Sequence, residues 1–279
     1  MPLALEGIKV VDLCRAGPGQ MATGILADYG ADVVTIVEPG YAARRATGGA
    51  VDASFATINR RNKRSIFLSL RYPEGQEIFY RLIRQADALM ESNRPGVAKR
   101  LGADYETLHA LNPKLIYCAL SGYGQYGPYS KIPGHDLSYQ GVAGLLPLDD
   151  TGIPYVPPFN QADLNAAWYG AIAILTGLVS RSLNGQGQYI DVGFSDASLT
   201  LSPGGIGDEM LQGAYPCYGI YKCKDDKFIS LSVREPWFWE RLCQLLGRED
   251  YIPHPRPQGE LLGEMFEFFH KSFGEKTRQ

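Results

Sequence analysis

The sequence has 279 residues, 45% of them hydrophobic, and a formal net charge of −3. That length suffices for one large core or two domains. The near-balanced charge leaves no electrostatic footprint for nucleic acid, and no apolar run reaches the roughly 18 residues read as a membrane span.

In chain order, GIKVVDL (7–13) is a β-branched strand running into a Gly/Pro turn, AGPGQ (16–20). MATGILADYG (21–30) reads as a helix closed by Gly30, and ADVVTIVEP (31–39) as the next strand. This strand–helix–strand unit has the length of a parallel crossover. NRRNKRSIFLSL (59–70) turns from a basic stretch into a strand. PEGQEIFYRLIRQA (73–86) is an amphipathic helix with Pro at its start. ALMES (88–92) is a strand, GADYETLHALNP (102–113) a helix, and KLIYCALSGYG (114–124) a strand entering a glycine-rich loop. Alternation of this kind predicts an α/β fold with a parallel sheet.

Residues 157–178, PPFNQADLNAAWYGAIAILTGL, predict a long helix that is apolar nearly all round and therefore buried. NGQGQ (184–188) is a turn, and SPGGIGDEMLQG (202–213) breaks the pattern with glycine. A β-hairpin follows at 218–233, across Lys-Asp-Asp-Lys, and then a helix at 236–247. These breaks place a large domain at 1–201 and a smaller α+β domain at 202–279.

Five cysteines, odd in number and unpaired by spacing, argue for a reducing compartment and against a disulfide framework. The N-terminus lacks a signal-peptide pattern, so a cytoplasmic protein is expected. The four histidines, His109, His135, His254 and His270, have no metal-ligand spacing, and no metal site is expected.

Several stretches have two readings. GPGQMATG departs from the G-x-G-x-x-G spacing after Gly17 and Gly19, which argues against a nicotinamide cofactor although Glu38 stands where a ribose-binding acid would. The cluster Arg60, Arg61, Lys63 and Arg64 is either a solvated basic edge or a phosphate site. Asn93-Arg94-Pro95-Gly96 with Arg100 forms a second basic patch on a loop after a strand. His135-Asp136 and Glu235 each precede a helix, where ordinary capping would explain them. Asp163 stands at the mouth of the long apolar helix. It is either that helix's N-cap or a reactive carboxylate, held ionised by the positive helix end.

Taken together, GILADYGADVV, NRRNKRSIFLSL, NRPGVAKRLG, NPKLIYCALSGYGQYGPY, GHDLSYQGVAGLL, QADLNAAWYGAIAILTGL, GQGQYIDV and EPWFW resemble the family III CoA-transferases of CaiB/BaiF type. That group also holds carnitine CoA-transferase, formyl-CoA transferase and α-methylacyl-CoA racemase. The resemblance runs from LEGIKVVDL to LCQLLGRED. It implies a Rossmann-like large domain, an interlocked homodimer, and a coenzyme A thioester as substrate with no permanently bound cofactor. Thr35 departs from the family, whose members usually carry a basic residue there.

In the transferases the aspartate matching Asp163 attacks the acyl-CoA thioester, and an aspartyl-CoA thioester forms by way of a mixed anhydride. The glycine-rich SPGGIG would let backbone amides approach a developing oxyanion. In the racemases a histidine matching His135 and the same aspartate exchange a proton at the α-carbon, with a glutamate matching Glu235 in support. Arg15, Ala16, Arg64, Asn93 and Arg100 match regions that bind CoA. The expected function is therefore CoA transfer between carboxylic acids through Asp163, with 2-methylacyl-CoA racemisation as the alternative. A non-catalytic or partner-dependent subunit is the third reading, prompted by a C-terminus that stops short of the family's usual end.

Overall fold

A computed structural model describes residues 2–15, 17–39, 59–149, 151–200 and 213–278. The chain divides into two compact units, Met1–Ser202 and Pro203–Gln279.

The first unit is built on six strands: β1 (Lys9–Leu13), β2 (Asp32–Val37), β3 (Lys63–Phe67), β4 (Ala88–Glu91), β5 (Ile116–Ser121) and β6 (Gln188–Gly193). They lie in the order β3-β2-β1-β4-β5-β6, all parallel. Central strands covered on both faces need apolar side chains on both. Every residue of β4 and β5 is accordingly buried. Alternation assigns the faces. Val10, Met90, Ile116, Cys118 and Leu120 enter one core; Val11, Leu13, Leu89, Tyr117 and Ala119 enter the other.

Helices α1 (Gly17–Asp28) and α6 (Gln161–Asn184) cover the first face. Helices α2 (Pro73–Ile83) and α4 (Tyr105–Leu111), with the short α3 (Val97–Arg100) between them in sequence, belong to the other side, where Phe79, Ile83 and Leu108 are packed. The short helices α5 (Asp136–Val142) and α7 (Phe194–Thr200) pack on α6.

Two sequence expectations change here. The stretch read as a Gly/Pro turn is already the first turn of α1, which begins at Gly17. Pro18 fits there because the first helical amides have no intrahelical partner to lose. Helix α6 is buried on one face only. Ala162, Ala166, Ala167, Gly170, Ala171, Ile174 and Gly177 face the core, while Leu164, Trp168, Ile172, Val179 and Leu183 are exposed. By length and composition α6 would also pass as a membrane-crossing helix, a test that buried core helices pass too. Its small-residue face nonetheless lies tight on the sheet. A Cβ on Gly177 would stand 2.6 Å from Ile116 Cγ2, and one on Gly170 would stand 2.9 Å from Met90 Cε.

The second unit contains a hairpin of β7 (Tyr218–Lys222) and β8 (Phe228–Ser232), turning at Asp226 with φ 58°. Helices α8 (Pro236–Leu246) and α9 (Glu260–Gly274) complete it. Trp239, Tyr221, Tyr251, Met265 and Phe269 form its core, and the indole of Trp239 donates to the Tyr251 carbonyl at 3.1 Å.

Candidate active site at the mouth of helix α6

The strand order 3-2-1-4-5-6 reverses direction between β1 and β4, and ligands of such sheets bind at the carboxyl ends of those two strands. Arg15 follows β1 and Asn93 follows β4 at that crevice. The Arg15 amide donates to Ser92 Oγ at 3.3 Å, which ties the two turns together. Glu91, 2% exposed at the end of β4, accepts from both the amide and the side chain of Asn93, at 2.7 and 2.8 Å. Burial raises the Glu91 carboxyl to about 7. Gly96 takes φ 82°, and the Arg100 guanidinium folds back to within 3.7 Å of where its Cβ would stand. Arg15, Asn93 and Arg100 thus share one end of the sheet. Arg94, from the same loop, acts electrostatically on Tyr139.

Arg64 does not join this group. It lies on edge strand β3 and makes paired bonds to Asp32 at the start of β2, near the opposite end of the sheet. Two more cations of the basic stretch are similarly neutralised. Arg61 pairs with Asp28. Lys63 is buried and donates to Asp12 at 3.1 Å and to Thr23 Oγ1 at 2.7 Å. Asp12 also accepts from Thr23 Oγ1 at 2.8 Å, Thr35 Oγ1 at 3.2 Å and the Cys14 amide at 2.9 Å. This buried hub fixes the turn that carries Arg15. It also explains Thr35, which points inward to Asp12. Ala16 and the SPGGIG segment lie outside the described residues.

Asp163 is not the N-cap of α6. That position belongs to Asn160, whose side chain makes no capping bond, and Asp163 is the third residue of the first turn. The first helical amides need acceptors from outside the helix. Asp136, at the start of α5, supplies one, with its Oδ1 accepting the Asp163 N–H at 3.0 Å. His135 is the adjacent residue, exposed, at the N-cap position of α5 without a capping bond from its side chain.

Tyr139 holds α5 in place. Its hydroxyl donates to the Gly134 carbonyl at 2.6 Å. A Cβ on Gly122 or Gly134 would stand 2.4 or 2.7 Å from its ring, so only glycine permits this contact. Tyr123 and Phe194 meet the same ring edge-on, each with centroids 5.1 Å away. The Asp136 side chain was not legible as a contact of Asp163, because 27 residues separate the two.

The ionisation of Asp163 differs from the expectation. Its carboxyl is half-buried, and desolvation, followed by the charge of Asp136, pushes it up to about 7. The positive helix end favours the anion, but burial outweighs it here. At neutral pH both protonation states are therefore available. Glu235 precedes Pro236 at the N-cap position of α8 in the second unit and is exposed. The described residues hold no group of three or more His, Cys, Asp or Glu side chains suited to a metal ion.

The family CoA-transferase family III matches residues 5–278. The chain belongs to this family. It is an enzyme family in which transferases and a racemase are both represented. The sequence is 33% identical to human alpha-methylacyl-CoA racemase over 99% of this chain and 73% of that protein. It is 35% identical to succinate–glutarate CoA-transferase of Agrobacterium fabrum over 87% of this chain and 66% of that protein. Among solved structures it resembles hypothetical protein Rv3272 of Mycobacterium tuberculosis, with TM-score 0.84 and 28% identity over 99% of this chain and 79% of the other. A CaiB/BaiF family protein from Brucella suis matches with TM-score 0.78 and 28% identity, over all of this chain and 80% of the other. The chain spans about two thirds of the length of several curated relatives, 61% in one case.

The raised Asp163 carboxyl makes the stability of the fold depend on pH. A carboxyl raised from 3.8 to about 7 binds its proton more tightly in the folded state. It therefore costs stability as pH climbs from the unfolded value through 7. The Asp163→Asn variant should melt higher than the parent at pH 8, with the gain shrinking as pH falls through 7 and vanishing near pH 4 on the linkage relation. Calorimetric melting of both proteins across this range checks it; a gain that grows on acidification contradicts it.

Proposed function

We propose that the protein acts on the acyl part of a coenzyme A thioester, with the Asp163 carboxyl as a reacting group. CoA enters as substrate, its anionic portion drawn to Arg15, Asn93 and Arg100 at the carboxyl end of the sheet. A carboxylic acid is the second substrate only if the reaction is a transfer.

The reading the geometry supports best is proton exchange at the α-carbon of a 2-methylacyl-CoA thioester. The observation that supports it is the Asp136–Asp163 bond, which ties the helix whose N-cap position is His135 to the first turn of α6, where a carboxyl is poised near neutrality. General acid–base catalysis needs a group able both to take and to return a proton at working pH. Asp163 would remove the α-proton while His135 returns one on the other face, and the reverse direction exchanges their roles.

The second reading is CoA transfer. A carboxylate on a helix's first turn, half-open to solvent, also suits nucleophilic attack. Asp163 would attack the thioester carbonyl and the C–S bond would break, giving a mixed anhydride and CoA thiolate. The thiolate would then attack the aspartyl carbonyl, releasing the first acid and leaving aspartyl-CoA. The named similarity to succinate–glutarate CoA-transferase favours it.

A homodimer is part of the proposal. The exposed stripe of Leu164, Trp168, Ile172, Val179 and Leu183 along α6 supports burial against a second copy. Sedimentation showing only monomer at micromolar concentration would count against it. A cytoplasmic location is proposed from the cysteines, all five free and buried.

The deciding experiment incubates 2-methylacyl-CoA with the protein in D2O and follows the α-position by NMR, with a free acid such as succinate present. Deuterium entry without CoA exchange supports the first reading, and Asp163→Ala should slow it by about 10²-fold or more. Hydroxylamine-trappable label on Asp163 with CoA passing to the free acid replaces it with the second. Neither event, in a correctly folded sample, overturns both.

A further inference from the structure

In the pair His135-Asp136, it is the aspartate that makes the more specific contact. Asp136 Oδ1 accepts the Asp163 amide at 3.0 Å, and its other oxygen accepts from Gln140 Nε2 at 2.5 Å. Both oxygens are thus occupied by fixed donors, and the side chain has one orientation. Gln140 is itself fully buried. The Tyr139 clamp between Gly122 and Gly134 keeps the whole turn from sliding.

We infer that Asp136 is a positioning residue of this site: it anchors the first turn of α6 through the Asp163 amide and so holds a second acid next to the residue proposed to react. The inference rests on the proposed role of Asp163, and it goes further by naming the group that makes this carboxyl able to give as well as take a proton.

Among the described residues, the charges around Asp136 are mostly engaged elsewhere. On α5 the titratable neighbours are His135, Asp136 and Tyr139. From the loop after β4, Arg94 acts on Tyr139. On β6, Asp191 accepts the Gln125 amide at 2.8 Å, and Asp196 on α7 acts on Asp191. On α1 the one charged residue, Asp28, is held by Arg61. Among the described residues, desolvation and then the charge of Asp136 act on the Asp163 carboxyl. A carboxylate so close in a poorly solvated site disfavours a second negative charge.

The test is the titration of Asp163 itself, followed by carbon-13 NMR of aspartate-labelled protein and assigned by the Asp163→Asn spectrum. Asp136→Asn keeps an oxygen acceptor for the amide and removes the charge; Asp136→Ser does the same with a shorter group. Both should lower the Asp163 midpoint by at least half a pH unit, about threefold in proton affinity. A residue that merely braced the fold would not move this midpoint. An unchanged midpoint in a folded variant overturns the inference while leaving the role of Asp163 intact. Conversely, loss of the chemical role would show as an active Asp163→Asn enzyme, whatever the midpoint does.

Discussion

One hydrogen bond organises the candidate site: the Asp163 amide donating to the Asp136 carboxylate at 3.0 Å. The open first turn of a long helix must find acceptors beyond its own chain segment. Here a carboxylate from another helix provides one, and the same contact sets two acids side by side. The helix end, typically worth about 0.3–1 kcal/mol to a nearby anion, is outweighed by desolvation and by the second negative charge. The carboxyl therefore sits near neutrality instead of in the usual acidic range. Chemistry and fold meet in that balance, because the packing that secures α6 also sets the protonation of the group it presents.

The frame around this contact is a parallel sheet whose order places Arg15 and Asn93 on neighbouring turns. Two buried acids hold those turns. Asp12 gathers Lys63, Thr23, Thr35 and the Cys14 amide, and Glu91 clasps Asn93. Buried charges of this kind are costly unless fully bonded, and Asp12 meets that condition from four sides. The Asp12 network spans β1, β2, α1 and β3, so the loop that follows β1 inherits its position from three other elements.

Much of this was legible beforehand. Strands such as ALME and IYCALS announce burial on both faces, and the alternation of strand and helix signals gives the parallel class. Asp163 stood out at a helix mouth and Asn93 on a loop after a strand, whereas Arg15 and the role of His135 came from the family resemblance. Tertiary pairing was not legible. Arg64 and Lys63 look alike in the sequence, yet one is bound to Asp32 at the sheet's far end and the other is buried with Asp12. Helix α6 looked buried all round, whereas its apolar side chains divide between the sheet and an exposed stripe. The protonation of Asp163 was not legible either, because the helix end is visible in sequence but the burial of the carboxyl, and Asp136 from 27 residues away, are set by tertiary packing.

The most direct test of the account is a crystal structure of the protein with a stable thioether analogue of 2-methylacyl-CoA. The account predicts the pantetheine arm leaving the crevice at β1 and β4 and delivering the α-carbon to the Asp163 carboxyl at about 3–3.5 Å, the separation of reacting atoms. An analogue bound in full occupancy with its acyl group directed away from the mouth of α6 would contradict it.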